Sequence, residues 1–308
     1  MNNDLARAIA HTNPELDIAP GERLRFEQQR LCFEGSNGDY MHLGAQNGIL
    51  LALSFRDDNG QHTYGSAAMV GPGLAVCAAH VVEEQDFYER IQTGDATLVA
   101  SAPLPNGGMH LWTVLRVALV PDTDLAVLSM ALTSPYPADR RFVSAALTTR
   151  MPALDDVLTI TGLSAVRGTE PITNNMSFQM IPGCAFGQVI DRYPKGRGRM
   201  MPGPCFAVDC HARGGMSGGP VFDSRGYLVG IVSSSFEGME TTFISHIWPA
   251  LLRPLAACPV WPPAPYPLPA PGSLLQLGRK FGIDIERPDA FKLCALHGEV
   301  ALRYEAWE

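Results

Sequence analysis

The stretch Arg213-Gly214-Gly215-Met216-Ser217-Gly218-Gly219-Pro220 sets one serine among four glycines. Such a turn has little side-chain cover. It can present the Ser217 hydroxyl openly and let backbone amides approach a bound group. A serine hydroxyl attacks carbonyl carbon only with a base in hydrogen-bond reach, and that base needs a carboxylate to orient it. Both types occur upstream in strand-like settings. His80 closes the apolar run Leu74-Ala75-Val76-Cys77-Ala78-Ala79, and Asp124 opens Leu125-Ala126-Val127-Leu128. Asp122 is the rival carboxylate, two residues earlier. Taken alone, the glycine-rich stretch also fits a hairpin turn whose serine satisfies local backbone.

The chain order of these residues is His, then Asp, then Ser. That order belongs to the chymotrypsin arrangement and differs from those of subtilisin and the α/β-hydrolases. With Ala78-Ala79-His80, Asp124-Leu-Ala-Val-Leu and Gly215-Met-Ser217-Gly-Gly-Pro in place, the region from about 46 to 250 resembles a trypsin-like serine peptidase. The resemblance implies an all-β fold of two antiparallel six-stranded β-barrels with the site in their cleft. It makes Ser217 the nucleophile, His80 the general base and acid, and Asp124 the residue that orients the imidazole. Asp124 is preferred to Asp122 because it directly precedes the strand. The amides of Gly215 and Ser217 match the family's oxyanion hole. His211 falls at the floor of the side-chain pocket, where trypsins place an aspartate, so a pocket for Lys or Arg is not implied. Val232-Ser233-Ser234-Ser235 matches the edge that pairs with substrate, with Ser233, Ser234 and Ser235 as binding residues and Glu240 as a charge in the neighbouring loop. Met216 stands where trypsin carries the aspartate that pairs with a newly cut amino terminus. That ion pair cannot form here, so removing residues 1–45 should not switch the enzyme on by that route.

The reaction implied is hydrolysis of peptide bonds through an acyl-enzyme, on a protein or peptide substrate. An alternative is an inactive trypsin-like module that grips a peptide along the same edge. A third reading, by family analogy, is a bacterial defence effector triggered by a regulatory protein partner through the N-terminal arm or the C-terminal tail.

Composition narrows the setting. The chain has 308 residues, 46% hydrophobic and 18% charged, ordinary values for a globular protein. A net charge of −8 and the absence of a basic run argue against nucleic-acid binding. The polar start shows no secretory signal, and no apolar run of about 18 residues implies a membrane span. Seven scattered cysteines suggest free thiols in a reducing compartment, hence a cytoplasmic protein. Secreted members of the family carry cysteines at the positions of Val81 and Arg213. Cys205 and Cys210-His211 lack the spacing of a zinc site, so neither metal nor other cofactor is expected.

In chain order, residues 1–45 read as an arm with a short helix from Leu5 to His11. Short strands punctuated by Gly, Pro, Asn and Asp then form a first barrel over 46–133. A helix-like stretch, Glu83 to Ile91, follows the histidine. Residues 134–152 read as a link and 153–250 as a second barrel. Within the latter, Arg192 to Arg199 reads as a mobile basic surface loop. Residues 251–272 are a proline-dense linker of extended polyproline type. Residues 273–308 read as a docking tail with a helix from Leu274 to Phe281.

Overall fold

A computed structural model describes residues 25–32, 47–57, 60–71, 73–83, 89–90, 93, 95–135, 141–165, 180–199, 201–235, 240–253, 273–275, 285–287, 291–296 and 299–304. The expected helix at Leu5–His11 and the proline-dense linker lie outside the described residues, as does most of the expected helix after Glu83.

The first strand, β1 (Arg25–Gln29), belongs to the N-terminal arm. The next six are β2 (Leu50–Asp57), β3 (Gly60–Gly71), β4 (Leu74–Cys77), β5 (Thr97–Pro103), β6 (Met109–Val120) and β7 (Leu125–Leu132). They close into a barrel in the order β2-β3-β4-β7-β6-β5, with β5 returning to β2. Closure leaves no exposed ladder edge, and inward-facing residues fill the interior. Leu51, Leu53, Val76, Leu98 and Leu128 are fully buried there. Between β4 and β5 the helix α1 (Ala79–Glu83) follows the barrel rim.

The segment read as a link carries two strands, β8 (Arg141–Ala145) and β9 (Leu147–Thr148). The second barrel is built from β10 (Val157–Ala165), β11 (Met180–Tyr193), β12 (Cys205–Val208), β13 (Pro220–Phe222), β14 (Leu228–Ser235) and β15 (Thr242–His246). Its order is β13-β10-β11-β12-β15-β14, and the β13–β14 pairing completes the ring. Leu158, Ile160, Phe206, Val221 and Ile244 form its core. The helix α2 (Trp248–Leu252) follows β15, with Pro249 in its first turn, where a missing N–H costs nothing. The fold is thus two closed six-stranded antiparallel barrels, as the family resemblance implies.

Strands before and after the two barrels pair with the segment between them. β1 runs parallel to β8, and the Leu31 amide donates to Gly226 O at 3.0 Å. β16 (Ile285–Glu286) runs parallel to β9, which itself lies beside β14. Arg225, in the turn joining β13 to β14, donates through Nη2 to Asp223 Oδ2 at 2.7 Å and to Glu286 Oε2 at 2.8 Å. Thr148 Oγ1 donates to the same Glu286 oxygen at 2.7 Å. Burial alone would raise the Glu286 carboxyl, but the bonds from Arg225 and Thr148 outweigh it and hold it below the usual range. A final hairpin pairs β17 (Phe291–Leu296) with β18 (Glu299–Tyr304).

His246, the last residue of β15, is fully buried. The Trp248 amide donates to its Nδ1 at 3.1 Å, so the ring proton sits on Nε2 and is given to Arg150 O at 3.1 Å. Burial pushes the imidazole down to about 4. The folded state therefore binds fewer protons than the unfolded chain between about pH 6.5 and 4. Stability should fall as pH drops through that window, by up to about 3 kcal/mol. Urea unfolding at pH 7 and pH 4.5 checks this. His246→Gln, which keeps a donor and an acceptor but does not titrate there, should lose that part of the pH dependence.

Candidate active site

His80 sits in α1 directly after β4, and Asp124 directly precedes β7. The β4–β7 ladder pairs Cys77 with Ala126, which fixes the two residues relative to each other. The His80 amide donates to Asp124 Oδ1 at 3.0 Å, and His80 Nδ1 lies 2.9 Å from Asp124 Oδ2. A carboxylate can only accept, so the ring proton sits on Nδ1 and Nε2 is the acceptor nitrogen. The Asp124 side chain is 11% exposed and that of His80 34%. Asp122 is exposed, with φ 55° in the turn before β7. It makes no contact comparable to that of Asp124 with the imidazole.

A third donor reaches Asp124. Ser233 Oγ–H donates to Asp124 Oδ2, and Ser233 is 2% exposed. In the β14–β15 ladder Val232 faces Ile244 and Ser234 faces Phe243, so Ser233 is the extra residue of a β-bulge. A bulge re-aims one side chain, here toward the aspartate. The Met201 sulfur lies 3.0 Å from the same hydroxyl oxygen. The hydroxyl of Ser233, expected among the substrate-binding residues, is thus engaged by Asp124.

Backbone bonds hold the turn that carries Ser217. The Met216 amide donates to Arg213 O at 3.1 Å across the pair Gly214-Gly215. Gly215 has φ 90°, whereas Gly214 is not among the residues of positive φ. That combination fits a type II turn, whose third position favours glycine. Among the described residues, the amides of Gly215 and Ser217 donate to no protein acceptor.

The second barrel meets the first at Ser66. The Ser66 amide donates to Ser217 O at 2.7 Å, and its hydroxyl donates to Gly215 O at 3.3 Å. The Leu163 amide donates to that hydroxyl at 2.9 Å. A Cβ on Gly65 would fall 2.8 Å from Val81, the residue after His80, and 2.9 Å from Ser217 O. A Cβ on Gly218 would fall 1.9 Å from Ser66 O and 3.3 Å from the Ala78 nitrogen. The Ser217 turn therefore lies against the segments on either side of His80. Sequence reading missed Ser66. The available signal was Gly65 inside a strand, directly before Ser66, since strand glycine marks close backbone approach.

The remaining expected residues are more dispersed. His211 is exposed in the segment before the turn, and Glu240 is exposed after β14. Ser234 is half-buried opposite Phe243. Ser235 pairs with Thr242 at the end of β14, and its side chain lies outside the described set. The basic stretch Arg192 to Arg199 is mostly exposed, as a surface loop would be, and Arg197 makes its inward contacts. The Arg197 amide donates to Met201 O at 2.7 Å, and its guanidinium lies 4.4 Å from the Phe243 ring centre.

Cys32, Cys77, Cys184, Cys205 and Cys210 are free thiols. Burial pushes Cys184, Cys205 and Cys210 up to about 11, which keeps them protonated and poor nucleophiles. Among the described residues no cluster of His, Cys, Asp and Glu could hold a metal ion. Brief iodoacetamide treatment of the native protein at pH 8 should therefore modify exposed Cys32 and spare Cys77, Cys205 and Cys210 until the chain is unfolded. Mass mapping of the alkylated peptides checks this.

Residues 65–231 match the model of the trypsin-like peptidase domain, over half of the chain. A structure of Deg5 is similar at 19% identity and TM-score 0.45, covering 65% of this chain and 84% of that one. The active form of the Rv3671c protease from M. tuberculosis is similar at 16% identity and TM-score 0.46, covering 75% of this chain and 87% of that one. The search of curated proteins finds no match. The matched segment runs from β3, which carries Ser66, into β14, the second strand after Ser217, and the chain belongs to the trypsin-like peptidase family.

Proposed function

We propose that the protein is a serine endopeptidase, with Ser217 as nucleophile, His80 as general base and acid, and Asp124 as the orienting carboxylate. The observation that carries this reading is the contact of His80 Nδ1 with Asp124, at 2.9 Å to Oδ2. It directs Nε2 toward the cleft in which the Ser66 bond to Ser217 O holds the glycine-rich turn.

The mechanism follows from these atoms. Nε2 takes the Ser217 hydroxyl proton as the oxygen attacks the scissile carbonyl. The imidazolium that forms is stabilised by Asp124, which stays ionised. Negative charge develops on the former carbonyl oxygen, and the Gly215 and Ser217 amides supply two donors for it. One such donor is worth about 3–4 kcal/mol of barrier. Nε2 then returns its proton to the leaving amine, and the acyl-enzyme remains. Water, deprotonated by the same nitrogen, attacks the ester and frees the acid and Ser217. Ser233 donates to the same Asp124 oxygen that the imidazole contacts, and so limits rotation of the carboxylate. The free thiols of the described cysteines support a reducing, cytoplasmic setting.

A fluorophosphonate probe should label Ser217 and only Ser217. Ser217→Ala and His80→Ala should each lower hydrolysis of labelled casein by about 10³-fold or more, and the double variant should lose little beyond either, because the groups act as a unit. Far-ultraviolet circular dichroism should be unchanged in all three. Undiminished hydrolysis by Ser217→Ala would overturn the assignment. Absent labelling of a folded wild type would favour the inactive peptide-binding module.

A further inference from the structure

Met216 is 1% exposed, although it belongs to a turn at the surface of the cleft. Its side chain enters a notch in the β10–β11 hairpin. Gly162 and Gly183 face each other in that ladder. A Cβ on Gly162 would fall 2.7 Å from Met216 Cα and Cβ, and one on Gly183 would fall 2.9 Å from Met216 Sδ. Two opposed glycines thus leave the space of two side chains, and one thioether fills it.

The sulfur also closes the turn. The Arg213 amide donates to Met216 Sδ at 3.3 Å, while the Met216 amide donates to Arg213 O at 3.1 Å. Arg213 and Met216 are thereby joined twice, across Gly214-Gly215. The Gly219 amide donates to Met216 O at 2.9 Å, which fixes the other side of Ser217.

Gly214-Gly215 alone would exchange readily between type I and type II turns, which differ by inversion of the central peptide. Inversion would turn the Gly215 N–H away from the cleft. We infer that Met216, seated in the Gly162–Gly183 notch, is the positioning residue that keeps the Gly215 and Ser217 amides aligned for a developing oxyanion. The inference rests on the serine-peptidase reading and adds how that site is held competent. The device is uncharged and uses no chain terminus.

The test uses the full chain and p-nitrophenyl acetate as acyl donor, with fluorophosphonate labelling in parallel. Loss of one aligned donor costs about 10²-fold or more in kcat, so Met216→Ala should lower kcat by about that factor and change KM less than about threefold. Met216→Leu refills the notch and should recover kcat to within about fivefold of wild type. Gly183→Ala pushes on the sulfur and should lower kcat about tenfold. Combined with Met216→Ala, which removes the atoms it meets, Gly183→Ala should cost nothing further. Folded variants that melt earlier but keep wild-type kcat would overturn the inference, as would strict additivity of Gly183→Ala and Met216→Ala. If Met216→Ala does not fold, Gly183→Ala and Met216→Leu still decide the outcome through kcat. A wild type that takes up no fluorophosphonate sinks the serine-peptidase reading itself. A labelled wild type beside variants of unchanged kcat sinks only the role of Met216.

Discussion

The hydrogen bond from the Ser66 amide to the Ser217 carbonyl joins the two halves of the candidate site. His80 and Asp124 belong to the first barrel and Ser217 to the second. Their relative position depends on how the barrels meet. Backbone-to-backbone contact is the stiffest way to set it, because no rotamer intervenes. Ser66 is fully buried, so its amide and hydroxyl must find partners within the protein. Gly65 and Gly218 keep the approach close, since a Cβ at either would strike the opposing segment. Leu50, Ala52 and Leu163 bury together beside this junction and add non-directional attraction to the directional bond.

Asp124 shows a similar division of labour. It accepts from the His80 amide, the His80 ring and the Ser233 hydroxyl, so its carboxylate has little freedom to turn. Two of those donors come from the first barrel and one from the second. A carboxylate so little exposed needs such donors, because burial of an unpaired charge is costly. The stretch after β11 packs behind this arrangement. Met201 touches Ser233, and a Cβ on Gly203 would strike Thr123.

Residues 25–29 and 285–286 are part of the fold. β1 and β16 flank the strands between the barrels, and both approach the turn that joins β13 to β14. Arg225 gathers Asp223 and Glu286 there, while Arg30 and Arg225 both stack on Tyr227. Parallel pairing between such distant segments cannot arise from a local hairpin. That β13 starts three residues after Ser217 places this anchoring on the same hairpin as the candidate nucleophile.

Sequence alone determined the class of fold and the order of the chemistry. Short apolar runs broken by turn residues read as strands because alternation and turn chemistry are local properties. His80, Asp124 and Ser217 stood out because each lies in a short motif at a strand end. The pairing of Ser233 with Asp124, 109 residues apart, did not, nor did that of Ser66 with Gly215 across 149. A serine carries the same local signal whether it faces solvent, substrate or a carboxylate. A bulge that turns one side chain is set by strand register, which the partner strand decides. Gly162 and Gly183 are equally silent, since a glycine's missing side chain has meaning only when the atom that takes its place is known. Only the tertiary structure supplies that atom, the sulfur of Met216, because close packing between distant strands decides which empty space is filled.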